Sequence, residues 1–147
     1  MRCLRSGGPM RLTLPAKKCA RCAAALASLE LFEENNVLQN VNEQAGLMGK
    51  KLQPLLQRNF VGEIRQRGNM VGIELVRDAA SMMPLPSERR TGHLVTLAAR
   101  RRGVIVRPRG DVIVLMPAQA MPLSIVERLC DVTIEAIDEV MDEYQAC

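Results

Sequence analysis

The chain has 147 residues, 48% of them hydrophobic and 24% charged, with three aromatic side chains, Phe32, Phe60 and Tyr144. That is long enough for one hydrophobic core and too apolar for a disordered tail, and the core must be built from Leu, Val, Ile, Ala and Met. No apolar run reaches the roughly 18 to 20 residues of a membrane span, and residues 1–21 lack the continuous apolar stretch of a secretory signal, so a cytoplasmic protein is expected.

The net charge of +4 is unevenly placed. Residues 1–21 hold six basic side chains and no acid, whereas the remainder holds 14 basic and 16 acidic ones. A basic arm can meet nucleic acid or acidic lipid. No aromatic is interleaved for base stacking, which weighs against nucleic acid. Gly7, Gly8, Pro9 and Pro15 break any period, so residues 1–21 read as an irregular basic head. Cys19-Ala-Arg-Cys22 has the spacing of a metal or redox pair. Its partners are missing, because His93 is the single histidine and lies far off, so reduced thiols are expected, with Cys22 against a helix interface.

From Cys22 to about Asn35, Cys22, Ala25, Leu26, Leu29 and Phe32 recur at helical spacing. Asn36 and Gln39 fit a capping box opening a second helix, whose stripe is Val37, Val41, Ala45, Met48, Leu52 and Leu55. Pro54 should end or kink it. Residues 63–77 turn to a period of two and read as one strand, in which Gly68 and Gly72 imply bends or a close approach by another segment. A helix is expected from Ser87 to Arg102, closed by Gly103 in a left-handed cap, with Arg100, Arg101 and Arg102 complementing its dipole. Val104–Arg107 and Val112–Leu115 read as short strands joined at Pro108-Arg109-Gly110-Asp111. The last helix, about Leu123 to Tyr144, should bury Ile125, Leu129, Val132, Ala136 and Val140. The order predicts an α+β layer, with helices on a sheet of about three strands.

Three segments taken together resemble one family. They are Ala23-Ala24-Ala25-Leu26-Ala27-Ser28-Leu29-Glu30-Leu31-Phe32, then Arg65-Gln66-Arg67-Gly68-Asn69-Met70-Val71-Gly72-Ile73-Glu74-Leu75, and then Arg102 to Pro117, which includes Arg107-Pro108-Arg109-Gly110-Asp111. In order and spacing they are similar to the final third of class III, pyridoxal-phosphate-dependent aminotransferases. The last run is most similar to the biotin-pathway branch, which moves an amino group from S-adenosylmethionine to the keto group of 8-amino-7-oxononanoate. The resemblance implies the small carboxy-terminal domain of a fold-type I enzyme: residues 22–59 as large-domain edge and interdomain helix, residues 60–147 as the small domain, and residues 1–21 without counterpart. It also implies a homodimer acting on small molecules.

The family's carboxylate-gripping arginine matches Arg107. A guanidinium fork pairs bidentately with a carboxylate, and a strand end ahead of Pro108 limits its swing. Arg109 falls where the family varies, and His93 reads as a helix-start residue with no acid or nucleophile spaced to use it. The cofactor needs a lysine, an acid against its ring nitrogen and phosphate contacts. Lys17, Lys18, Lys50 and Lys51 all lack the family's strand-end setting, so no covalent hold on pyridoxal phosphate and no catalytic residue is expected. The family's Thr-x-x-Gly-Asn-Pro stretch should precede Cys22, where the chain instead reads Leu14-Pro15-Ala16-Lys17-Lys18-Cys19-Ala20-Arg21. This reads as a break at Cys22, from a truncated or frameshifted gene, leaving a fragment inactive alone. A second departure is Met116-Pro117-Ala118-Gln119-Ala120-Met121-Pro122, where the family carries another proline. The alternatives are an ornithine- or 4-aminobutyrate-type aminotransferase fragment, and a small basic binding module.

Overall fold

The computed structural model describes residues 14–145, so the head over residues 1–13, Cys3 and Cys147 lie outside it. It forms two compact units, divided after Val37.

The first unit holds helix α1, Leu14–Glu34. The helix starts eight residues before the expected point, so residues 14–21 are helical rather than irregular. Pro15 stands in the first turn, where its missing N–H costs nothing, and Ala16 and Ala20 favour propagation. Residues 20–36 are exposed throughout. Cys22 therefore faces solvent rather than a helix interface.

The second unit begins at Leu38, within the first turn of α2, Val37–Leu52, whose side chains Gln44, Met48 and Leu52 are buried. The capping box is not made: Asn36 adopts φ 48°, and Gln39 Nε2 donates 3.0 Å to Glu43 Oε1. Pro54 acts as expected, converting the chain to a 3-10 turn over Gln53–Gln57. The single strand expected over residues 63–77 is a hairpin, β1 (Val61–Arg67) and β2 (Met70–Leu75). Arg67 pairs with Met70 across the two-residue turn Gly68-Asn69, where Gly68 takes φ 57°. The alternation runs on through the turn, which hid it in the sequence, though Gly-Asn between alternating runs is a hairpin signal.

A 3-10 turn over Ser87–Arg89 and left-handed Arg90 precede α3, Thr91–Arg101, so the continuous helix expected from Ser87 is interrupted. Gly103 closes α3 at φ 81°, with the Val104 N–H reaching Ala99 O at 3.1 Å. That cap consumes Val104, so β3 begins only at Arg107 (Arg107–Arg109) and turns at Gly110-Asp111 into β4, Val112–Leu115. The sheet is fully antiparallel with four strands, not three, in the order β1-β2-β4-β3. Pro108 is accommodated because β3 is an edge strand.

Helix α4, Leu123–Gln145, buries Val126, Cys130, Val132, Thr133, Ala136, Ile137, Val140 and Met141. The inward stripe is rotated from the expected one: Val132, Ala136 and Val140 hold, while Ile125 is exposed and Leu129 half-buried. One sheet face, carrying Val71, Ile73, Leu75, Ile113 and Leu115, joins Met48, Leu52, Val95, Ala98, Cys130 and Ile137 in the core. Ion pairs rim it. Lys51 reaches Glu127 and Asp131, and Arg101 and Arg102 reach Glu139.

Candidate functional site

Beside the edge strand β3 the second unit opens into a groove of about 590 Å³. Its walls include Ile105, Arg107, Met116, Met121, Ile125 and Arg128. The geometry follows from the chain. The α3 cap ends at Val104, so Ile105 is left 77% exposed between helix and strand. Arg107, opposite Val114 in the ladder, carries its guanidinium at the start of β3. Then β4 ends at Leu115, and the loop from Met116 to Pro122 returns the chain to α4.

Arg107 is exposed and forms no ion pair with any described residue. A guanidinium with free donors beside apolar walls can take a carboxylate bearing an aliphatic chain. Arg109 and His93 are also exposed; His93 stands in the first turn of α3, its N–H donated to Arg90 O at 2.8 Å.

Sequence reasoning missed Gln44, Asn69 and Arg128. Gln44 is wholly buried and faces the groove-wall loop, donating to Met121 O at 2.8 Å and Ala118 O at 3.2 Å. Its signal was present: Gln44, Met48 and Leu52 stand four apart on α2, which placed a polar residue in an apolar stripe. Arg128 sits on the exposed side of α4 and had no such marker.

The class is shown by comparison with known proteins. The aminotransferase class-III family model matches residues 16–141, and the chain belongs to that family. The match begins at residue 16, before Cys22, where the resemblance was expected to break.

Among curated relatives, the adenosylmethionine-8-amino-7-oxononanoate aminotransferase of Nitratidesulfovibrio vulgaris is 49% identical over 79% of this chain and 21% of its own length. That of Methanocaldococcus jannaschii is 43% identical over 80% of this chain and 26% of its own. The crystal structure of the M. jannaschii enzyme superposes with a TM-score of 0.74 and 41% identity, covering 80% of this chain and 27% of that one. A probable γ-aminobutyrate transaminase of Oryza sativa subsp. japonica is less similar, at 30% over 85% of this chain and 25% of its own length. The chain spans about a quarter of the length of these relatives.

Pyridoxal phosphate is the family's cofactor, and the PMP-bound form of a Vibrio fluvialis aminotransferase matches with a TM-score of 0.78 at 27% identity, covering 83% of this chain and 27% of that one. Lys51 is held as an ion-paired cation. Lys51 Nζ is 2.8 Å from Glu127 Oε1 and 3.1 Å from Asp131 Oδ1, and the hydrogen bonds it donates to these two acids raise its pKa. An amine that must attack a carbonyl needs the opposite shift. Lys50 is exposed on the surface of α2, and Lys17 and Lys18 stand in the first turn or so of α1.

Among the described residues no helix is long and apolar enough to cross a membrane.

Proposed function

We propose that this chain supplies the carboxylate-binding portion of an adenosylmethionine–8-amino-7-oxononanoate aminotransferase, with Arg107 as the residue that grips the substrate carboxylate. One observation carries the reading: Arg107 makes no ion pair with a described acid and lines a groove that also carries Ile105, Met116, Met121 and Ile125. The groove suits 8-amino-7-oxononanoate, whose carboxylate would meet the guanidinium while its methylene chain lies along Ile105, Met116 and Ile125. The similarity to biotin-pathway relatives, stronger than that to the γ-aminobutyrate transaminase, supports this substrate over a shorter amino acid.

In that enzyme the chain's residues orient the substrate and keep its aliphatic portion from water, and Lys51 does not carry the cofactor. Residues 22–59 would belong to the large-domain edge and the interdomain crossing and residues 60–147 to the small domain, and two such subunits would form a homodimer. Pyridoxal phosphate, when bound, supplies the electron sink for amino transfer.

The reading is tested by titrating isotope-labelled chain with 8-amino-7-oxononanoate and mapping the amide shifts. Shifts concentrated at residues 105–107, 116–121 and 125–129 are expected. Saturable shifts elsewhere, or none, would refute it.

A further inference from the structure

The groove wall on the α4 side is a loop, Pro117–Met121, with little structure of its own. Its backbone supplies one turn bond, Met121 N–H to Ala118 O at 2.9 Å. The rest of its order comes from amide side chains reaching in from other elements. Gln44 Nε2 points at three of its carbonyls, those of Ala118 (3.2 Å), Gln119 (3.3 Å) and Met121 (2.8 Å). Asn69 Nδ2, from the β1–β2 turn, donates to Pro117 O at 3.1 Å and to Gln44 Oε1 at 3.2 Å. Asn40, one turn before Gln44 on α2, also donates to Gln119 O.

We propose that Gln44 is a positioning residue for the Arg107 groove. Anchored by Asn69, it holds the Pro117–Met121 loop at the separation from Arg107 that lets the groove take an aliphatic carboxylate. This rests on the carboxylate-binding reading of Arg107. Three features carry it beyond ordinary packing. Gln44 is fully buried yet has its donors and its acceptor engaged, an arrangement that fixes one rotamer and one loop path. Its partners are backbone carbonyls, so the grip does not depend on which side chains the loop carries. Finally, the two walls of the groove belong to different elements, β3 and this loop, and Met116, Pro117, Ala118 and Met121 line it from the clamped side.

The test uses the full chain and nonanoate as probe, with Gln44→Leu as the variant, since leucine keeps the bulk and removes every donor. Gln44→Leu should weaken nonanoate binding about tenfold, the loss expected when a positioned wall becomes one conformer among several. It should also speed hydrogen exchange at the Met121 amide while leaving exchange in β2 and β4 unchanged. A purely structural role would raise exchange in β2 and β4 together with the loop and leave affinity, measured on folded protein, unmoved. Unchanged affinity and unchanged Met121 exchange in a folded Gln44→Leu chain would overturn the proposal and leave the Arg107 reading standing. If wild-type chain fails to bind nonanoate, the Arg107 reading falls, and the Met121 exchange rate still decides whether Gln44 orders the loop. Should Gln44→Leu not fold, Asn69→Ser, at a turn, is measured instead with the same expected directions and the same overturning result.

Discussion

Lys51 and Glu127 meet at 2.8 Å, joining α2 to the start of α4 on the rim of the core. Asp131 completes the cluster, and Lys51 ties the two helices together as an ion-paired cation. Borohydride reduction of the chain with pyridoxal phosphate should leave Lys51 unlabelled at neutral pH, read by peptide mass spectrometry; selective labelling there would contradict this. The partners raise its pKa, so their stabilising contribution is complete below the ordinary lysine value of 10.5 and fades as pH climbs past it. The difference in urea midpoint between wild type and Lys51→Met should therefore be constant at neutral pH and close in strong alkali.

Glu139 shows the opposite titration. Hydrogen bonds from Arg102 and then Arg101 hold its carboxyl below the ordinary 4.5, and they bridge α3 to α4. Its contribution is present above 4.5 and is lost as pH falls through the lower folded-state value. Glu139→Gln should thus be less stable than wild type near neutrality and match it at low pH. A gap that persists into acid would refute the assignment.

Cys130 and Cys22 should separate cleanly by reactivity. Burial, and secondarily Asp131, pushes the Cys130 thiol up to about 11, whereas Cys22 is exposed on α1. Since the thiolate is the reacting species, iodoacetamide at neutral pH should label Cys22 within the folded chain and Cys130 only after denaturant is added. Equal labelling rates in the folded state would mean the core over Cys130 is open.

Gly92 fixes how α3 meets the β3–β4 turn. A side-chain carbon there would press into the backbone carbonyl of Gly110, and the Gly92 N–H donates to Asp111 Oδ1 at 3.3 Å. Gly92→Ala should cost roughly 1–3 kcal/mol by overpacking, measured by urea unfolding, and should broaden the Arg107–Arg109 signals that the turn supports. A neutral effect would show that the turn yields freely.

The sequence made some of this legible and hid the rest for physical reasons. Gly103, Pro54 and the Val112–Leu115 strand were readable because each has a local cause: a left-handed cap, a missing donor, a β-branched run. The α4 stripe was misread by one position because Ile125 and Leu129, apolar at helical spacing, line the groove instead of the core. The β1–β2 turn was masked by alternation that continues through Gly68-Asn69. Arg107 was singled out by family resemblance alone, since an arginine at a strand end is locally unremarkable. The apolar stripe of α2 marked Gln44 as a buried polar residue, but what it holds needed the tertiary structure, because the carbonyls it reaches lie more than 70 residues away.

The central claim, that Arg107 grips a carboxylate, is tested most directly by calorimetric titration of 8-amino-7-oxononanoate into wild type and Arg107→Gln. The account predicts measurable binding to wild type and a loss of about 1.5–3 kcal/mol, tenfold or more, in the variant, as for a hydrogen bond to a charged group. Equal affinities in two folded proteins would contradict it.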